Sequence, residues 1–119
     1  DPVKHRLIGN LSEAFARGKQ LYQRSPAITA GELYDYVAGM AGEYGWEFGA
    51  SSAGHLVGHF PHERPPGDST RFSIRSGNTT SLREPDAKGD ARHWILEIHF
   101  VDRSRQIGGF FEELLTVDG

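Results

Sequence analysis

A chain of 119 residues, 37% hydrophobic and 24% charged, carries enough apolar material for one modest domain with a real core and too much for a disordered segment. Its formal net charge of -3 and pI near 6.1 argue against a general affinity for nucleic acid or anionic membrane. The absence of cysteine excludes disulfides and thiolate metal sites.

The first element predicted is an amphipathic helix. Val3, Leu7, Leu11, Phe15, Gly18, Leu21 and Tyr22 recur at three- and four-residue steps and form one apolar stripe. Asp1-Pro2 supplies an N-cap and a first-turn proline, and Ser25-Pro26 ends the helix. Opening without Met, directly into this amphipathic segment, the chain reads as a piece cut from something longer. It has no basic-then-apolar leader and no run of about 18 apolar residues, so a cytoplasmic, non-membrane protein is expected.

Thr29 and Glu32 have capping-box spacing ahead of a second periodic run through Leu33, Val37, Met40, Ala41 and Tyr44, which Gly45 stops. Residues 49–58 are small and glycine-rich around His55. Residues 61–92 hold Pro61, Pro65, Pro66 and Pro85 among polar residues and read as a long irregular loop, a length often tied to function. Residues 93–101 and 106–117 read as two strands joined around Asp102–Arg105. There are no internal repeats.

A turn centred on Ser104-Arg105 sets Glu97 directly across from Glu112, with Ile95, His99, Phe110 and Leu114 on the same face. Like charges directly opposed on neighbouring strands are destabilising, and an apolar setting raises the cost. A divalent cation shared by both carboxylates relieves it, as does a shared proton. A register shifted by one or two residues would instead turn the glutamates to solvent.

Upstream, Gly54-His55-Leu56-Val57-Gly58-His59-Phe60-Pro61-His62-Glu63 gathers three histidines in eight positions. One histidine is ordinarily structural or solvated, but three followed by two glutamates match the donor chemistry of a Zn, Mn, Fe or Co site.

These motifs, in this order, resemble the pita-bread metallopeptidases, the family of methionine aminopeptidases, Xaa-Pro aminopeptidases, prolidases and creatinases. GHLVGHFPHE resembles the family's G-H-G-[IL]-G-…-H-[ED] signature, WILEIHF its F-T-[IV]-E-P strand, and GGFFEELLTVDG its closing strand. The segment Thr29–Leu33 is similar to the helix start that precedes the signature, and the loop at 64–92 has no counterpart.

The resemblance implies an α+β fold, the C-terminal half of a pita-bread domain, spanning residues 1–119 with two helices on one face of a strongly curved antiparallel sheet. It implies a dinuclear site of two divalent ions, Mn first with Co, Zn or Fe as alternatives. His55, Glu97 and Glu112 would be metal ligands, Glu97 also taking a proton. His62 would be catalytic, contacting substrate and oxyanion, and His59 would contact substrate; Glu63 and Glu113 would be acidic neighbours and not ligands. The activity implied is metal-dependent hydrolysis of an N-terminal peptide bond, with an Xaa-Pro preference suggested by His59-Phe60.

The sequence departs from the family in two respects. Glu97 is followed by Ile98 where the family has proline, and the two aspartates that complete the family's five ligands lie in a strand pair before this region. An N-terminal half, as another chain or a missing segment, is therefore the expected partner, alongside a peptide or small-molecule substrate; a homodimer is compatible with this. A creatinase-like hydrolase, a small-molecule lyase or a catalytically inactive binding module on the same scaffold are the alternatives.

Overall fold

The computed structural model describes residues 1–57 and 71–116. His59, His62 and Glu63 lie outside the described residues, as do the remainder of the loop up to residue 70 and the last three positions. The fold is α+β, with two helices and a four-stranded antiparallel sheet.

Helix α1 (Pro2–Arg24) begins where Asp1 accepts from the Val3 N–H at 2.9 Å. It buries Leu7, Leu11, Ala14, Phe15 and Gly18, the stripe that the spacing predicts. Helix α2 (Ala30–Glu43) carries the anticipated reciprocal cap. The Glu32 N–H donates to Thr29 Oγ1 at 3.1 Å, while the Thr29 N–H donates to Glu32 Oε1 at 2.9 Å. Gly45 follows at φ +85, a left-handed position suited to glycine, and ends the helix as expected. No described helix is long and apolar enough to cross a membrane.

The sheet is organised by one long strand. In chain order the strands are β1 (Glu47–Phe48), β2 (Gly54–Leu56), β3 (Trp94–Asp102) and β4 (Ile107–Leu114). β4 lies along one edge of β3, and β1 and β2 share the other. The alternation in β3 decides which side is covered. Trp94, Leu96, Ile98 and Phe100 are fully buried against the helices, and burial of each such side chain stabilises by about 1.5–3 kcal/mol. Ile95, Glu97, His99 and Val101 point to the opposite, open face.

Close approach fixes two glycines. A Cβ on Gly18 would press Leu96 Cδ2 at 3.0 Å and Val37 Cγ1 at 3.1 Å, so its small size lets α1 lie against both α2 and the sheet. Gly54 sits at φ +125, and a Cβ there would collide with the carbonyl of Ile95 across the ladder.

Two short strands differ from the sequence-based expectation: β1, and β2 inside the glycine-rich stretch. The described part of the proline-rich loop is irregular, as expected, and tied to the rest of the fold. Ala53 N–H donates to Ile74 O, Leu56 N–H to Phe72 O, and Gly31 N–H to Asn78 O. Arg83 donates to Tyr22 O at 2.7 Å and to Ser25 O at 2.8 Å, satisfying carbonyls at the end of α1. Its guanidinium also lies 3.9 Å from the centroid of the Tyr22 ring. Glu84 receives Arg71 at 2.8 Å and Arg92 at 3.0 Å, closing the loop on itself.

Candidate metal centre

Three strands bring the candidate residues into a row. β3 runs between β2 and β4, with His55 opposite Ile95 and Glu97 opposite Glu112. Facing residues in an antiparallel ladder share a sheet face. His55, Glu97 and Glu112 therefore all lie on the face away from the helices, and the hairpin register is the one that the turn at Ser104-Arg105 predicts.

His55 and Glu97 meet. The Nε2 of His55 stands 3.5 Å from Oε2 of Glu97, with their side chains 27% and 18% exposed. The other ring nitrogen, Nδ1, lies 2.9 Å from the carbonyl oxygen of Leu56. A carbonyl can only accept, so the hydrogen belongs on Nδ1. A neutral His55 then turns a lone pair on Nε2 toward a carboxylate oxygen. Two acceptors so placed repel unless a cation stands between them, either a proton that charges the imidazole or a metal ion. A ring fixed through one nitrogen with the other free to ligate is the usual arrangement of a metal-binding histidine. The separation also fits a shared ion: two donors on a tetrahedral ion at bond lengths of about 2.1 Å lie roughly 3.4 Å apart.

Glu112 completes the row but not the cluster. Its side chain is exposed, and among the described residues no three His, Asp or Glu side chains gather closely enough to hold one ion. The described residues thus provide two converged donors, His55 and Glu97, and a second carboxylate, Glu112, facing Glu97. His59 and His62, the remaining predicted site residues, lie outside the described residues.

A residue without an assigned role in the sequence-based reading joins the site. His99 Nε2 lies 2.9 Å from Oε1 of Glu97, within direct hydrogen-bonding distance. That bond, the largest influence, holds the Glu97 carboxyl below the usual carboxylate range against the opposing push of burial, and the charges of His99 and His55 add to it. The ring of His99 is stacked on Phe110, centroids 5.6 Å apart and planes at 18°, and stands edge-on to Phe48 at 6.0 Å. The signal available in the sequence was period-two alternation, which puts residues 97 and 99 on one face.

The site lies on an open sheet face. A hollow of about 370 Å³ beside the α1–α2 connection, lined by Leu21, Ser25, Pro26, Ala27, Ile28 and Glu32, includes none of the candidate residues. No protein-family model, curated protein or solved structure matches this chain.

Proposed function

We propose that this segment carries part of a divalent-metal site for hydrolysis of an N-terminal peptide bond, Xaa-Pro being the favoured bond. What supports this most is the convergence of His55 Nε2 and Glu97 Oε2 at 3.5 Å, with the other ring nitrogen held at the Leu56 carbonyl. Glu112 across the ladder from Glu97 adds a second carboxylate on the same face. His55, Glu97 and Glu112 would hold the metal, and two aspartates from outside these residues would complete the set, as the resemblance to pita-bread peptidases implies. Manganese suits an imidazole set among carboxylates better than magnesium does.

A bound divalent ion supplies a water of lowered pKa and a polarised carbonyl. The protein's own groups do the rest. Glu97 would face the ion through Oε2, and its carboxylate, hydrogen-bonded to His99 through Oε1, would take up the proton of the attacking water. His62 donates to the oxyanion, and His59 contacts the substrate. Ile95, Phe110 and Leu114 give that face an apolar surface for a substrate side chain.

The test is titration of Mn²⁺ into isotopically labelled protein, with paramagnetic broadening read residue by residue. Side-chain signals of His55, Glu97 and Glu112 should broaden first. Broadening spread evenly over surface carboxylates such as Glu43 and Glu47 would overturn the proposal, as would a His55 protonated on both nitrogens at neutral pH that excludes the ion. In a chain supplying the two aspartates, an Xaa-Pro peptide should be cleaved faster than one beginning with Met.

A further inference from the structure

Glu97 has two oxygens, and they face different partners. Oε1 is taken by His99 at 2.9 Å, while Oε2 faces His55 at 3.5 Å. A carboxylate only accepts, so the hydrogen of the shorter contact lies on His99 Nε2. The His99 ring has little freedom. Phe110 covers one face in a nearly parallel stack, Phe48 meets it edge-on, and the side chain is 26% exposed. Phe110 is itself 61% exposed, an unusual state for a large apolar side chain, and the His99 ring is what it covers. Phe110 faces His99 across the ladder on the open side of the sheet, whereas Phe48 faces Phe100 on the helix side and touches only the edge of the ring.

We infer that His99 is a positioning residue: stacked on Phe110, it holds Oε1 of Glu97 and leaves Oε2 alone to face His55 and a cation between them. Glu97 would then present one oxygen to metal and not a chelating pair. A carboxylate able to rotate about its last bond would offer either oxygen, or both, and would lose orientational entropy on binding. A donor fixed on the far oxygen removes that freedom beforehand, which is why hydrogen bonds to ligating carboxylates commonly contribute 10–100-fold in metal affinity. The inference rests on the metal-site proposal only for what Oε2 binds; the clamp itself concerns residues already in contact.

Three variants test it: His99→Leu keeps bulk without a donor, His99→Gln keeps an N–H donor, and Phe110→Ala removes the stacking face. Mn²⁺ affinity, read by broadening at His55, should fall about 10–100-fold in His99→Leu. Part of the loss should return in His99→Gln, and Phe110→Ala should fall between wild type and His99→Leu. Equal affinity in wild type and His99→Leu, or identical affinities in His99→Leu and His99→Gln, would overturn the clamp. A second readout needs no metal. The wild-type His99 ring should carry its hydrogen on Nε2 by ¹⁵N shift, and the Glu97 carboxyl ¹³C signal should move in His99→Leu. An unmoved signal overturns the clamp. A moved signal together with unselective Mn²⁺ broadening in the wild type keeps the clamp and overturns the metal site instead.

Discussion

Glu112→Gln should have opposite effects with and without metal. Glu112 faces Glu97 directly across the β3–β4 ladder, so the metal-free protein holds two carboxylates of like charge side by side. At a separation of about 6 Å, two unit charges repel by roughly 0.7 kcal/mol in a water-like dielectric. Directly opposed like charges on neighbouring strands cost a comparable 0.2–1 kcal/mol or so. Glu112 is exposed, and Glu97 is partly balanced by His99 and His55, which puts the value at the lower end. Glu112→Gln should therefore stabilise the metal-free protein by a few tenths of a kcal/mol. With Mn²⁺ at about 100 times its dissociation constant, wild type should gain roughly 2.7 kcal/mol by linkage, and the variant should lose most of that gain. Chemical denaturation in chelator and in excess Mn²⁺, on both proteins, measures all four values. A Glu112→Gln protein that is less stable than wild type in chelator, or equally stabilised by Mn²⁺, would refute the placement of this carboxylate pair at a cation site.

Gly54→Ala combines positive-φ strain with a clash against the Ile95 carbonyl and should cost roughly 3 kcal/mol, seen as a large drop in Tm. Arg83→Ala removes two donors from the end of α1 and should cost about 1 kcal/mol, with faster amide exchange confined first to the last turn of that helix. Glu84, whose carboxyl is held below its ordinary range mainly by the Arg71 hydrogen bond and further by Arg92, contributes stability that is complete above the usual carboxylate range. That contribution shrinks as pH falls through the range toward the folded-state value, because the unfolded chain takes up the proton first. Urea midpoints between neutral pH and about pH 3 should accordingly fall less steeply in Glu84→Gln than in wild type. Lastly, His55→Ala should lose Mn²⁺, whereas His62→Ala should retain it and lose turnover equivalent to about 3–4 kcal/mol; equal metal loss in both would show that the assigned roles are wrong.

The helices were legible because their causes are local. The apolar steps from Leu7 to Gly18 and the Thr29–Glu32 cap need only the geometry of one helix. The β3–β4 register was equally legible, since a short turn fixes which residues face each other, and with it the meeting of Glu97 and Glu112. β1 and β2 were not: two or three residues long, they are strands only because β3 offers them partners far along the chain. The order of residues 71–93 was hidden for the same reason, as Arg83 is fixed by the carbonyls of Tyr22 and Ser25, 61 and 58 positions away. At the site, alternation shows that His99 shares a face with Glu97. The hairpin register also puts Phe110 opposite His99; that their rings stack and that the imidazole meets one carboxylate oxygen is a matter of side-chain geometry, which periodicity does not carry.

The row from β2 through β3 to β4 also sets when the site can exist during folding. The β3–β4 hairpin closes through a short turn and can pair early, bringing the two glutamates together on its own. His55 arrives only when β2 pairs with β3 from far along the chain, a far less local event with a correspondingly larger loop-closure cost. A nascent or partly unfolded chain therefore displays the repelling carboxylates before it has the imidazole that, with a cation, reconciles them. If the proposed metal site holds, metal bound at this row would mark the finished fold, and its release on heating should accompany the loss of β2 and precede the opening of the hairpin.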